Sequence, residues 1–174
     1  MRASWISGAL LLLAAATCVH AQPVRVDTVS AGSVMREIRN IGWEASVFED
    51  ASHNPRIDTQ VDRHNWAIVL RDCAAGALEE RRCPSLQFIV DTEMPKPVPG
   101  DLINKWNKEY RYARASLQQG SQTGCSRSGT CTAHIVVDVL VAGTKGDPAK
   151  TFRAYFDVVR RRTTSFRQYI GAPD

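Results

Sequence analysis

The sequence predicts an α+β domain, in which an antiparallel sheet of about five to six strands packs against an N-terminal, a middle and a C-terminal helix. Two observations about periodicity indicate this class. Three separate stretches repeat their apolar residues at helical spacing, and the stretches between them alternate with a period of two. The strand–helix–strand repeats that build a parallel sheet are not evident. The 174 residues are enough for one domain and hardly for two.

The first 21 residues have the pattern of a cleaved secretory signal peptide. Arg2 supplies a positive charge, residues 6–16 form an apolar run too short to span a membrane, and residues 19–21 place small side chains before a cleavage position. We therefore predict cleavage between Ala21 and Gln22 and a periplasmic or secreted location. The main alternative is a lipoprotein acylated at Cys18, which the residue before that cysteine, a threonine, disfavours.

The remainder is predicted to be a lead-in over residues 22–30, flexible or extended, followed by a single domain over residues 31–174. A second long apolar run is not present in the sequence, so we expect no transmembrane span. The net charge is +4, and it falls to +3 on cleavage because residues 1–21 contain Arg2 and no acid. This mild balance does not indicate a nucleic-acid partner.

Four cysteines remain after cleavage: Cys73, Cys83, Cys125 and Cys131. An even number in an exported protein indicates two disulfides, for which three pairings are possible. The pairs Cys73–Cys83 and Cys125–Cys131 are favoured, because each brackets a short polar loop. The alternative is a metal site, but the cysteine spacing contains no CxxC motif and we find no histidine at ligand spacing from either pair, so we expect no metal and no cofactor.

The first helix is predicted to begin at Ser30 or Ser33, since either side chain can cap a helix, and to end at Gly42. Its apolar stripe is spaced i, i+4, i+7: Val34, Ile38 and Ile41.

Two short strands joined by a hairpin are expected next. Residues 43–48 become β-like, and residues 56–61 alternate with Ile57, Thr59 and Val61 on one side. Turn signals at residues 53–55 and 62–65 bound the second strand.

The strongest strand signal covers residues 66–73. Both of its faces are apolar, which is typical of a central strand. The loop over residues 74–82 leads into a second alternating strand at residues 86–90, so the two strands form a hairpin whose long tip the first disulfide closes. Prolines at positions 95, 97 and 99 then break the sheet.

The middle helix is predicted to begin at Gly100 or Asp101 and to bury Leu102, Ile103 and Trp106. From residue 111 the period returns to two, with Ala113, Ala115 and Leu117 inward. The two small alanines suggest close backing by a helix.

Residues 118–130 form a polar surface loop, and a last strand follows from residue 132 to 141. Asp147 and Pro148 open the final helix. The helix is expected to bury these residues: Phe152, Tyr155, Phe156, Val159, Phe166 and Tyr169. Four arginines are expected to lie toward solvent: Arg153, Arg160, Arg161 and Arg167. An acidic partner or an anionic membrane surface is the alternative for the run at 160–162.

The stretch from Ile41 to Leu117 resembles the YbjN family, including its exported members. The matching motifs are Asp72-Cys73 at a strand end, CPSLQF at 83–88, INKWN at 103–107, RYARA at 111–115, Gly42-Trp43 and Pro55-Arg56-Ile57. The resemblance implies a compact fold similar to type III secretion chaperones that often pairs with itself. Some members are described as sensory-transduction regulators, and no catalytic residues accompany the resemblance.

Two clusters are candidates for partner binding. The first is Asn104, Trp106 and Asn107, for which a structural role is favoured, because a tryptophan on the apolar face of a short helix normally packs in the core. The second comprises aromatic residues and arginines expected on the outward face of a strand and its neighbour: Tyr110, Tyr112, Arg114 and Arg71. Such a surface suits protein recognition and equally suits a sheet face covered by a helix.

His53, Asp62 and His64 could form a general-base pair or a metal site, although histidines in turns are far more often simply exposed. The sequence contains no phosphate loop, nucleophile elbow or HExxH motif. We therefore expect an exported, non-catalytic interaction or regulatory module that binds a protein partner or itself. The alternative is a small-molecule or metal-binding periplasmic domain, at most a weak hydrolase, that uses His53 and His64.

Overall fold

The computed structural model describes residues 28–94, 96–117, 125, 131–141 and 148–172. In chain order the elements are β1 Val29–Ser30, α1 Ala31–Asn40, β2 Ala45–Glu49, β3 Pro55–Val61, β4 His64–Arg71, β5 Arg82–Cys83, β6 Ser85–Met94, α2 Gly100–Glu109, β7 Arg114–Leu117, β8 Cys131–Leu140 and α3 Pro148–Ile170. The predicted signal peptide, residues 1–21, and the predicted cap at Asp147 lie outside the described residues.

Six strands form one antiparallel sheet in the order β2-β3-β4-β6-β8-β7, and β1 pairs with β5 in a separate ribbon. The α+β class, the sheet of five to six strands and the three helices are confirmed. Strand β4 lies inside the sheet, as its two apolar faces predict. The edge strand β7 is short and pairs only with residues 133–136 of β8.

One face of the sheet and the apolar sides of the helices form the core. Trp66 and Phe88 from the sheet contact Phe156 of α3, with ring centroids 5.0 and 6.5 Å from it. Burial of each such side chain stabilises the fold by roughly 1.5–3 kcal/mol. The alternation of β3 is also confirmed, since Ile57, Thr59 and Val61 are buried.

Helix α1 begins with a capping box, in which the Ser33 amide donates to Ser30 Oγ and the Ser30 amide donates to Ser33 Oγ. Its last residue is Asn40 and its C-cap is Ile41; Gly42, where the sequence predicted the end, follows the cap with a φ of +94°, which favours glycine. Arg153 of α3 donates to Glu37 of α1 at 2.7 Å, so the first and last helices are connected.

Both predicted disulfides, Cys73–Cys83 and Cys125–Cys131, are confirmed. Val29 pairs with Cys83, so the end of the predicted lead-in belongs to the folded domain, which moves its boundary from residue 31 to at least residue 29.

The turn predicted at 62–65 is shorter than expected, because β4 already begins at His64. Asp62 and Arg63 form a two-residue turn in which both residues have positive φ, 49° and 67°. Such turns match the twist of the strands that they connect.

Candidate functional site

The candidate site is the sheet face opposite the helices, here called the open face. In antiparallel pairs, residues directly opposite each other share a face, so the register identifies its members. Helix α3 packs on the other face of the sheet, where Phe156 contacts Trp66 and Phe88. Its central residues come from the four strands β4, β6, β8 and β7: Ala67, Val69, Arg71, Gln87, Ile89, His134, Val136, Asp138, Leu140 and Arg114.

A chain of four polar side chains crosses the open face. Arg71 donates to Gln87 Oε1 at 3.1 Å, and Gln87 Nε2 donates to Asp138 Oδ1 at 2.7 Å. Arg114 completes the chain by donating to Asp138 Oδ2 at 2.6 Å. Because Asp138 accepts from two side chains, it holds Arg114 and Gln87 in fixed positions on a surface that water can reach. We call Arg71, Gln87, Asp138 and Arg114 the polar chain.

Apolar side chains flank the polar chain. Val69 is only 2% exposed although it lies on the open face, and its partners on the two neighbouring strands are the longer side chains Arg56 and Gln87. Ile89 and Val136 are half-buried beside it. At the ends of the strands, Leu140 is 64% exposed and Tyr112, just before β7, is 85% exposed. The open face therefore combines ordered charges with apolar side chains that remain accessible.

Further ion pairs occur on the same face. Arg56 and Asp58 form one at 2.8 Å, and the Arg56 guanidinium lies 5.6 Å from the ring centroid of Phe48, which is 40% exposed. His134 Nδ1 lies 2.7 Å from Asp91 Oδ1. The charged groups named here are therefore paired with one another or with a neutral side chain.

The first predicted cluster is mostly structural. Trp106 is fully buried and donates from Nε1 to the Ala113 carbonyl at 2.7 Å. Asn107 donates to the Ala115 carbonyl at 2.9 Å and accepts from the Ala115 amide at 2.7 Å. These contacts attach β7 to α2, which confirms the close helix backing predicted for Ala113 and Ala115. Asn104 is exposed on α2.

The second cluster is divided between two locations. Tyr110 does not lie on an outward strand face as predicted, because it ends α2 and stacks on Trp106 with centroids 3.8 Å apart. The Arg162 guanidinium lies over the Tyr110 ring, 5.3 Å from its centroid. Arg71 and Arg114 do share the open face, but β6 and β8 separate their strands. The sequence reasoning missed Gln87 and Asp138, which connect them.

The two histidines of the alternative hypothesis lie apart. His53 is in the turn before β3, where it lies 3.6 Å from Glu49, and His64 follows the turn at the other end of β3. Seven strand residues separate them by roughly 20 Å. The geometry does not allow His53 and His64 to share one ion. Among the described residues, no group of three or more His, Cys, Asp or Glu side chains could hold a metal ion.

His64 lies beside α3 instead. Arg167 Nη1 is 3.1 Å from His64 Nδ1, so Arg167 turns toward the protein, in contrast to the predicted solvent-facing position. Burial, reinforced by the positive charge of Arg167, lowers the pKa of the His64 imidazole below its ordinary value of 6.5. Arg160 pairs with Asp62 in the adjacent turn, and this contact raises the pKa of Arg160.

Comparison of the chain with protein-family models, with curated proteins and with solved structures finds no match. The resemblance to the YbjN family therefore stays a prediction. Among the described helices, none has the length and apolar character needed to cross a membrane.

Proposed function

We propose that this protein is an exported, non-catalytic interaction module that binds a protein partner, or a second copy of itself, through the open face. The observation that carries the proposal is the polar chain, which fixes Arg71 and Arg114 on a face with accessible apolar side chains. Tyrosine, arginine and apolar side chains around pre-oriented polar groups are typical of protein interfaces. Pre-oriented groups lose less conformational entropy on binding, which favours affinity.

Three features support the parts of this proposal. The signal-peptide pattern and the two disulfides agree with an exported location, because disulfides form and persist in oxidising compartments. The largely paired charges of the open face fit a role without chemistry.

The test is site-specific photo-crosslinking in the native cell envelope. A photoreactive residue replaces Leu140 or Tyr112, which are exposed next to the polar chain. In the control protein it replaces Arg161, which is exposed on α3. We expect one dominant crosslinked species from Leu140 and Tyr112 and none from Arg161. Mass spectrometry then distinguishes a second copy of this chain from another protein.

A second variant tests the polar chain itself. Asp138→Asn keeps the size of the side chain and removes the charge that orients Arg114. We expect it to weaken the crosslinked species while the melting temperature changes little, because both groups are largely exposed. The proposal is wrong if folded, abundant protein yields no crosslinked species from either position, or yields the same species from Arg161.

A further inference from the structure

The last residues of β8 form an edge of the sheet that β7 does not cover. Strand β8 continues to Leu140, whereas β7 pairs only with residues 133–136 of it. Just before β7 the chain lies against α2, where the Ala113 carbonyl accepts from the Trp106 indole at 2.7 Å. Among the described residues, positions 137–140 therefore have a strand neighbour on one side only, which is β6. We call positions 137–140 the β8 edge.

The register shows which backbone groups point out of the β8 edge. The Val141 amide donates to the Pro84 carbonyl at 2.8 Å, which continues the pairing of β8 with β6. Successive residues of a strand direct their backbone groups to opposite sides, so the groups of Val139 also point to β6. The N–H and C=O groups of Asp138 and Leu140 point the other way. The β8 edge therefore presents these two residues' donors and acceptors without a strand partner in the described part of the chain.

Side chains bond to the outward backbone groups elsewhere on the rim of the sheet. On the outer side of β7, Asn107 of α2 bonds to both backbone groups of Ala115. On the opposite rim, Arg39 of α1 donates to the carbonyl of Ala45 in β2 at 2.9 Å. Proteins protect their edge strands in such ways, because an open edge pairs readily with another strand. The β8 edge has no comparable cover among the described residues, and Leu140 is 64% exposed there.

The β8 edge is complementary to a second copy of itself. When two β8 strands lie antiparallel with their Val139 residues opposite each other, Asp138 of each copy lies opposite Leu140 of the other. Each of these pairs exchanges two hydrogen bonds, so every outward backbone group of both residues finds a partner. The length matches as well. Strand β7 occupies the edge from Val136 backwards, so an incoming strand must end there, and β8 itself ends at Leu140.

We propose that two copies of this chain pair through their β8 edges, about a symmetry axis at Val139. The inference rests on the proposed function, because it selects a second copy as the occupant and places the contact at the edge of the open face. Symmetric contacts of this kind are the commonest in homo-oligomers. Each Asp138 keeps its hydrogen bond to Arg114 of its own chain, so the two carboxylates stay paired. Residues opposite each other share a face, so the two open faces become one continuous surface.

The proposal is tested on the unaltered protein by sedimentation and by amide hydrogen exchange over a dilution series. We expect a dimer that dissociates on dilution. The Asp138 and Leu140 amides should be protected in the dimer and exchange rapidly in the monomer, whereas the Val139 amide, which points to β6, stays protected in both. A monomer at every concentration would overturn the proposal. Protection of the Asp138 and Leu140 amides in the monomer would also overturn it, because another part of the same chain would then cover the edge.

Two matched proline variants locate the contact. Leu140→Pro removes an N–H group that points to the second copy and leaves the hydrogen bonds to β6 in place. Val47→Pro removes the equivalent group from the opposite rim, because the Asp50 amide bonds to Asn54 and residue 47 therefore points away from β3. We expect Leu140→Pro to weaken dimerisation about tenfold and Val47→Pro to leave it unchanged. Equal effects of the two variants would refute the pairing. If Leu140→Pro fails to fold, the exchange pattern of the unaltered protein decides.

Failure of this pairing and failure of the proposed function give different results. A monomer that still yields one crosslinked protein from Tyr112 in the cell envelope refutes the β8 pairing and leaves binding through the open face intact. Conversely, a dimer with protected Asp138 and Leu140 amides supports the pairing. If its crosslinked species is unaffected by Asp138→Asn, the role of the polar chain fails while the β8 pairing stands.

Discussion

Asn107 offers the sharpest test of how α2 holds the edge of the sheet. Its side chain makes two hydrogen bonds with the backbone of Ala115 in β7, at 2.7 and 2.9 Å. Asn107→Ala removes both without creating a large cavity. Asn104→Ala is the matched control, because it makes the same chemical change one turn earlier on the same helix at an exposed position.

The expected loss follows from the two hydrogen bonds. A hydrogen bond within a protein contributes about 0.5–1.5 kcal/mol net, so Asn107→Ala should lower the free energy of unfolding by about 1–3 kcal/mol. The Ala115 amide and carbonyl are then left to pair with water, which is possible because β7 is an edge strand. Asn104→Ala should change the free energy of unfolding by no more than about 0.5 kcal/mol.

Urea denaturation of both variants measures these values, and hydrogen exchange locates the effect. In Asn107→Ala, the Ala115 amide should exchange faster, because its acceptor is gone. Equal destabilisation by the two variants, or unchanged protection of Ala115, would show that α2 is not attached to β7 in this way. The inference that Asn107 has a structural role, and not a binding role, would then fail.

Two further predictions concern the disulfide and the imidazole. Cys73→Ser opens the loop of the first disulfide and should lower the free energy of unfolding by about 2–3 kcal/mol. This loss is clearly larger than the one expected for Asn104→Ala. Equal melting temperatures of the two variants would contradict the Cys73–Cys83 disulfide. The pKa of His64 is lower in the folded state than its ordinary value of 6.5, so below that pH the unfolded state binds more protons. The free energy of unfolding should therefore decrease as the pH falls from 7 through this window, and His64→Gln should remove that part of the slope. An unchanged slope in His64→Gln would refute the assignment.

Alternation of apolar residues was sufficient to predict most of the sheet. Ile57, Thr59 and Val61 lie on one buried face because a strand places every second side chain on the same side. The disulfide pairs followed from loop length in the same local way. In contrast, the polar chain joins Gln87 to a residue 51 positions later, and this contact depends on the register between β6 and β8. The alternation within one strand does not specify the register between two strands.

Each wrong residue position in the predicted site has an identifiable physical cause. The spacing of Tyr110, Tyr112 and Arg114 predicts one outward strand face for all three, but α2 continues to residue 109. Tyr110 therefore stacks on the tryptophan of that helix. Arg167 was placed in solvent by helical spacing alone. Its contact with His64 requires the β3–β4 turn to meet the end of α3, and only the packed core brings them together.

The pairing of β1 with β5 has a consequence for the order in which the chain folds. Val29 emerges from the ribosome first, yet its strand partner Cys83 is synthesised 54 residues later. The N-cap of α1 is Ser30, the last residue of β1, so the first helix gains its final position only when the β4–β6 hairpin is present. Contacts between distant residues form slowly, because the loop between them must close first. The N-terminal helix is therefore expected to be among the last elements to dock, and oxidation of Cys73 and Cys83 would secure the strand that receives it.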